Sequence, residues 1–367
     1  MLGAMIRIAI SGGGTGGHIY PAIAIAREVL QLEPGARVIF IGGKGQREST
    51  IVPKFGFDFV PILVEGFPRR LSLRLFKVAF KVPMGLVKSL IVLKRFSPRV
   101  VIGTGGYVCG PVLLGALLLH IPILIQEQNA IPGITNRIMG RWADEIYIPF
   151  VAASRFFPPG RTTVTGNPIR PEIVAASEGR EKLGLEKDKL TISFLGGSQG
   201  ASSINAAALG ALERLVEFAP HLQVIHQTGE SDFSTVKKAY DELPFVTVVR
   251  PYFDTIEDVY TATDLVVCRS GGMTVAEITA CGLPAILIPY PFAAGDEQTY
   301  NAQVLEKNGA AVMIRDRQLT GERLAGVLIS LIQNRKRLSD MAEKSRSLGR
   351  PRAAREIAES ALSLAIR

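Results

Sequence analysis

Two glycine-rich turns hold the residue types best suited to chemistry in this chain. The first, Gly12-Gly13-Gly14-Thr15-Gly16-Gly17-His18, follows an apolar run at 6–11 and precedes a helical run from Pro21. The second, Gly196-Gly197-Ser198-Gln199-Gly200-Ala201, follows a run at 190–195 and again precedes a helical pattern. A short buried strand feeding a glycine turn and a helix start aims backbone N–H groups and a positive dipole end at an anion. Two such turns predict two phosphate-bearing ligands on two nucleotide-type folds. That arrangement suits group transfer.

The first turn satisfies G-x-G-x-x-G at Gly12, Gly14 and Gly17. A dinucleotide site also needs an acid at the end of the second strand to hold ribose hydroxyls. Here that strand ends Ile41-Gly42-Gly43-Lys44, without one. The turn therefore suits close backbone approach to a diphosphate, but not dinucleotide recognition. A third glycine turn, Gly103-Thr104-Gly105-Gly106-Tyr107, and the segment Gln126-Glu127-Gln128-Asn129 leave neighbouring strands toward the same sheet edge.

In the second half, Arg269-Ser270-Gly271-Gly272-Met273-Thr274 opens a helix that carries Glu277. A carboxylate one turn into that helix can grip vicinal ribose hydroxyls; it can equally serve only to complement the helix dipole. Gln298 and Asn301 fall on one face of a later helix and suit hydrogen bonding to sugar hydroxyls.

A base is needed if a hydroxyl is to attack. His18 is the first candidate, because an imidazole titrates near neutral pH and this one borders the first turn; Glu127 is the second. His18 can equally be a turn cap that only hydrogen-bonds its ligand. No Asp-x-Asp pair is present to carry a divalent cation, so the expectation is a reaction without metal or cofactor.

Alternating strands and helices must position these groups. Strand patterns fall at 6–11, 38–42, 100–103, 122–126, 145–148 and 162–165, then at 190–195, 222–227, 246–249, 265–268, 285–288 and 311–314. The fold class is α/β, with parallel sheets covered on both faces. At 367 residues two domains are expected. Gly166-Asn167-Pro168-Ile169-Arg170-Pro171 interrupts the pattern, which sets a first domain at 1–166 and a second at 167–350. Pro351 breaks the tail, so a last helix at 351–367 is expected to return to the first domain.

Apolar content of 47% and charged content of 20% exclude a disordered chain. Three cysteines without metal spacing read as reduced core thiols of a cytoplasmic protein. No secretory signal precedes the first strand, and the apolar stretch 112–125, broken by His120 and Pro122, is too short to cross a bilayer. The net charge is +9, and residues 66–99 hold nine basic residues and no acid. Among them Arg69, Arg70, Arg74, Lys77 and Lys81 interleave with apolar residues, the pattern of a membrane-surface element attracted to anionic headgroups. The competing readings are a solvated helix face and a nucleic-acid patch. Few stacking aromatics and no nucleic-acid motif accompany the charge, so no nucleic-acid partner is expected.

Taken in order, Gly13–His18, Glu127-Gln128-Asn129-Ala130, Gly166-Asn167-Pro168-Ile169-Arg170, Gly196–Ala201 and Arg269-Ser270-Gly271 to Glu277 resemble the MurG family over nearly the whole chain. The family transfers N-acetylglucosamine from its UDP donor onto undecaprenyl-diphosphoryl-N-acetylmuramoyl-pentapeptide (lipid I), giving lipid II for peptidoglycan. The resemblance implies a GT-B fold, two Rossmann-like doubly wound domains facing a cleft. It implies an inverting hexosyltransferase, peripheral on the cytoplasmic face of the bacterial plasma membrane, with cell-wall synthesis proteins as further partners.

It places the lipid-linked acceptor on the first domain, at Gly14, Thr15, Gly16, Gly17, Gly105, Gly106, Tyr107 and Asn129. The UDP-sugar falls to the second. Ser198 and Gln199 would lie at the diphosphate and sugar, and Arg170 would approach the diphosphate. Tyr252 and Phe253 would flank the uracil, with Met273 and Thr274 near diphosphate and ribose. Glu277 would take the ribose, and Gln298 and Asn301 the sugar. Glu297-Gln298 departs from the paired glutamines common in the family.

Three alternatives share the fold or the ligand. A glycolipid galactosyltransferase or a UDP-N-acetylglucosamine 2-epimerase would keep the donor site, and a noncatalytic nucleotide-sugar-binding protein would need only one of the two turns. The basic apolar segment favours a lipid acceptor over the epimerase.

Overall fold

The computed structural model describes residues 5–64, 74–197 and 199–366, with side chains outside 74–82 and 294. The chain divides into two units: unit 1 runs to Arg170 and resumes at Arg350, and unit 2 spans Pro171–Gly349. Among the described residues no helix is long and apolar enough to cross a membrane.

Unit 1 is built on strands β1 (Arg7–Gly12), β2 (Arg37–Gly43), β3 (Asp58–Ile62), β4 (Val100–Gly105), β5 (Ile123–Gln126), β6 (Glu145–Ile148) and β7 (Thr162–Val164). They form one parallel sheet ordered β3-β2-β1-β4-β5-β6-β7. Period-2 alternation sends Ile8 and Ile10 to one face, against the helix Gly16–Leu32 and the last helix, Ala353–Ile366. Ala9 points to the other, where Leu93, Val112, Leu113 and Met139 pack from the helices Arg74–Phe96, Cys109–Leu118 and Ile134–Met139. Chain order reverses between β1 and β4, and ligand crevices open at such a reversal.

β3 is absent from the strand pattern read on sequence. Its run Asp58-Phe59-Val60-Pro61-Ile62 contains a proline, which a central strand rejects for want of an N–H. It sits at the sheet edge, where that N–H is not needed.

Unit 2 repeats the winding with β8 (Leu190–Leu195), β9 (Leu222–Gln227), β10 (Val246–Arg250), β11 (Leu265–Cys268), β12 (Ala285–Leu287) and β13 (Ala311–Met313), ordered β10-β9-β8-β11-β12-β13. Ile192, Phe194, Val224 and Val267 bury against the helices Ser202–Leu212 and Gly321–Ile332. Both glycine turns thus leave the first strand of a doubly wound sheet beside its reversal point.

Each turn is clasped by a neighbouring loop at a spacing only glycine permits. A Cβ on Gly106, after β4, would stand 2.3 Å from the Gly13 carbonyl oxygen. In unit 2 a Cβ on Gly200 would stand 2.2 Å from the Thr228 carbonyl oxygen. Both glycines adopt positive φ, 85° and 76°, where a side chain is strained.

Candidate active site

Unit 1 collects its polar groups at the carboxyl ends of β1, β4 and β5. His18 is the third residue of the Gly16–Leu32 helix, and its half-buried ring lies beneath the β4 turn. Its Nδ1 stands 2.9 Å from the Thr104 carbonyl oxygen and 2.7 Å from Gln128 Oε1. The Gln128 amide nitrogen donates to that same carbonyl at 2.7 Å and to Gln126 Oε1, which turns the Gln128 oxygen toward His18. Both neighbours of Nδ1 are acceptors, so Nδ1 carries the proton of the neutral ring and Nε2 keeps its lone pair.

The backbone of the first turn is partly committed. Gly13 N–H donates to the Gly105 carbonyl at 3.3 Å, and Gly14 N–H to Glu48 Oε2 at 3.0 Å. Gly16 and Gly17 open the helix, where N–H groups have no acceptor one turn back. Tyr107 closes the other side, its ring edge 3.5 Å from where a Gly14 Cβ would be.

Glu127 is 1% exposed, and both its oxygens are engaged. Oε1 accepts from the N–H groups of Gln128 (2.8 Å) and Asn129 (2.9 Å). Oε2 accepts from Asn136 Nδ2 (2.9 Å) and Gly133 N–H (3.1 Å). The carboxylate organises the loop that carries Asn129. Asn167 joins the same network: its Oδ1 accepts from Gln126 Nε2 at 3.0 Å and its Nδ2 donates to the Gln128 carbonyl at 2.9 Å.

Glu48 was not among the residues read from sequence. It is fully buried, and its Oε1 accepts from Gly43 N–H at 2.9 Å while Oε2 holds Gly14. It ties the end of β2 to the glycine turn. The available signal was a lone acid among Lys44, Arg47 and Lys54.

In unit 2, Gln227 links the second turn to the segment after β10. Its Nε2 donates to the Gly197 carbonyl at 3.0 Å, and its Oε1 accepts from Phe253 N–H at 3.0 Å. Phe253 is 2% exposed, with the Arg250 guanidinium 5.3 Å from its ring centre. Of the two rings expected at the uracil, Tyr252 is 49% exposed, while the Phe253 side chain is buried.

The helix Gly272–Ala280 brings Met273, Thr274 and Glu277 to half-buried positions. Tyr260, buried on the helix Ile256–Ala262, donates its hydroxyl to Glu277 Oε2 at 2.9 Å. Burial, and then the Glu277 charge, pushes the phenol's pKa well above its usual value, so it remains a donor. Burial first, then the same carboxylate, pushes the Cys268 and Cys281 thiols up to about 12. These are neutral thiols beside a charged group.

Gln298 lies half-buried at the start of the helix Glu297–Lys307, its Oε1 accepting from Tyr290 N–H at 3.0 Å. Asn301 is fully buried and donates to the Ser270 carbonyl at 3.1 Å. It lies beneath the 270 turn. Ser270 Oγ donates in return to the Gln298 carbonyl at 2.8 Å. Gln199 is exposed on the second turn, and Arg170 is the last residue of unit 1's first segment. Ser198, Arg69 and Arg70 lie outside the described residues, as do the side chains of Arg74, Lys77 and Lys81.

Behind the second turn, His226 is buried between Asn205 Oδ1, 3.0 Å from Nε2, and the Tyr240 hydroxyl, 2.9 Å from Nδ1. Asn205 Nδ2 donates to the Thr228 carbonyl at 2.9 Å, so its oxygen accepts from Nε2–H. Burial pushes the His226 imidazole down to about 3, keeping it neutral.

Two glycine turns on two doubly wound sheets, with a poised histidine on one and a tethered glutamate on the other, can be compared with known proteins. Residues 8–148 match the description "Glycosyltransferase family 28 N-terminal domain" and 191–357 match "Glycosyltransferase family 28 C-terminal domain". The chain is similar to a protein of Desulforamulus reducens named UDP-N-acetylglucosamine--N-acetylmuramyl-(pentapeptide) pyrophosphoryl-undecaprenol N-acetylglucosamine transferase, 42% identical over 361 residues (96% of this chain, 97% of the relative). A Desulforudis audaxviator protein of the same name is 43% identical over 95% of each chain.

Among solved structures, Acinetobacter baumannii MurG aligns with TM-score 0.80 and 29% identity, covering 98% of this chain and 99% of that one. A putative UDP-N-acetylglucosamine 2-epimerase from Listeria monocytogenes aligns at TM-score 0.69 and 16% identity, covering 98% and 96%, a likeness of fold alone. The two units are therefore those of a GT-B glycosyltransferase. With both halves matched and full-length relatives above 40% identity, the chain belongs to the MurG family within glycosyltransferase family 28.

Proposed function

We propose that this hexosyltransferase moves N-acetylglucosamine from UDP-N-acetylglucosamine onto lipid I with inversion, unit 2 binding the donor and unit 1 the acceptor. Family membership carries the reaction. The observation that carries the division of labour is the His18 ring, its Nδ1 proton held by two acceptors and its Nε2 lone pair left available beside the first turn. In the reaction, the acceptor hydroxyl gives its proton to Nε2 as its oxygen forms the new bond to the anomeric carbon. The bond from that carbon to the UDP oxygen breaks, and UDP leaves with the electron pair. The second turn, the N-terminus of the Ser202–Leu212 helix and Arg170 are the groups assigned to the charge growing on UDP. Glu277 takes the ribose, and Gln298 the sugar. Glu127, with both oxygens engaged, supports the loop and leaves the proton transfer to His18.

The first turn is assigned to the acceptor diphosphate, through the N–H groups that open the Gly16–Leu32 helix. Unit 1 also carries the surface assigned to an anionic membrane. The helix Arg74–Phe96 exposes Met84, Val87 and Ile91 at one-face spacing, together with Lys88, Lys94 and Arg95. On the same side of the sheet, Leu118, Ile134, Ile138 and Trp142 are exposed. Apolar side chains flanked by lysine and arginine favour an interface with anionic lipid.

The test is incubation with labelled UDP-N-acetylglucosamine, with and without a lipid I analogue. Label reaching lipid only when acceptor is present is the expected result; no transfer in either arm overturns the reading. A chelator arm is expected to leave the rate unchanged.

A further inference from the structure

Glu277 owes its geometry to a neighbour that is not itself at the sheet edge. Tyr260 is 4% exposed, and its phenol reaches Glu277 Oε2 at 2.9 Å. The two residues sit on different helices, Ile256–Ala262 and Gly272–Ala280, so the bond joins two elements. A glutamate on a helix has three rotatable bonds, and a half-buried one samples several rotamers unless something holds it. A buried donor on one oxygen restricts that freedom.

We propose that Tyr260 is a positioning residue for ribose recognition: by holding Oε2 it presets the Glu277 carboxylate to accept vicinal ribose hydroxyls of the nucleoside diphosphate. The inference rests on the assignment of Glu277 to the ribose. Its physical content is preorganisation. The ordering entropy of the carboxylate is met in folding, so it is not subtracted from binding. A buried phenol suits the task because it has one donor and almost no freedom of its own. The raised phenol pKa keeps that donor in place at any pH where the protein works.

The experiment compares UDP with 2′-deoxy-UDP by calorimetric titration on the wild type and on Tyr260→Phe, with the melting temperature of each. The wild type is expected to bind UDP about tenfold more tightly than 2′-deoxy-UDP, the value of one charge-assisted hydrogen bond. Y260F is expected to narrow that ratio by roughly 3- to 10-fold, weakening UDP more than 2′-deoxy-UDP, which keeps only the 3′-hydroxyl for Glu277. Simple damage to the fold would weaken both ligands together and leave the ratio intact. In the Glu277→Gln background, Y260F is expected to change nothing further in the ratio. If Y260F fails to fold, Tyr260→His, which keeps a ring donor on a shorter reach, carries the same comparison. A wild-type preference that Y260F retains in full overturns the role of Tyr260. No preference in the wild type overturns the ribose assignment itself, and with it this inference.

Discussion

Gln128 and His18 meet at 2.7 Å, with the amide oxygen facing Nδ1 and the amide nitrogen committed to the Thr104 carbonyl. The pair sets which ring nitrogen is basic. His18→Ala is expected to lower kcat by ~10²-fold or more. Gln128→Leu, which keeps the ring but removes one acceptor, is expected to cost less. UDP affinity should be unchanged in both, as measured by titration. Full turnover in His18→Ala would remove the imidazole from the mechanism.

Glu48→Gln tests the buried support of the first turn. The carboxylate accepts from two backbone N–H groups, and an amide must turn its NH2 toward one of them. The expected cost is about 1–3 kcal/mol in the stability of unit 1. Trp142, the chain's one tryptophan, lies in unit 1, so its fluorescence reports the unfolding of that unit. The KM for the lipid acceptor should rise while that for UDP-N-acetylglucosamine holds.

The pH dependence of unit 2 follows from His226. Its imidazole falls from an ordinary value of 6.5 to about 3 on folding, so between those values the unfolded chain binds more protons than the folded one. The stability is fully present above pH 6.5 and is lost as pH falls toward 3. Going from pH 7 to pH 5 is expected to cost about 2 kcal/mol, read from hydrogen exchange at β9. His226→Gln should flatten the slope; an unchanged slope would assign it to other groups.

Reversal of Arg69, Arg70, Arg74 and Lys77 to glutamate is expected to weaken sedimentation with anionic vesicles. Met84→Asp with Ile91→Asp should do so as well. On the wild type, adding such vesicles should shift Trp142 emission to the blue, since 48% of its surface is exposed without them. Neutral vesicles should produce little change. Equal binding to both kinds would leave the basic residues without a role.

Much of the architecture was legible because it rests on local pattern. Short apolar runs and glycine turns marked strands in both units, and His18 stood out by its place at the end of a turn. What escaped depends on where side chains point after packing. Nothing local in sequence gives the burial of the Phe253 and Asn301 side chains, one beneath Arg250 and the other under the 270 turn. Glu48 and Tyr260 act through partners 34 and 17 residues away, and neither separation follows a helical or strand period. β3 escaped because a proline is disallowed in most strands, and only the edge position, a property of the whole sheet, excuses it.

The last helix, Ala353–Ile366, packs against Gly16–Leu32, so unit 2 is inserted into the chain of unit 1. A ribosome making this protein finishes every strand of both sheets before the covering helix of the first emerges. Until then Ile8, Ile10, Ala22 and Ile25 lack the apolar surface of Ile357, Ala361 and Leu364. Unit 2 can therefore complete its fold during synthesis, while unit 1 waits on the final residues for its last layer.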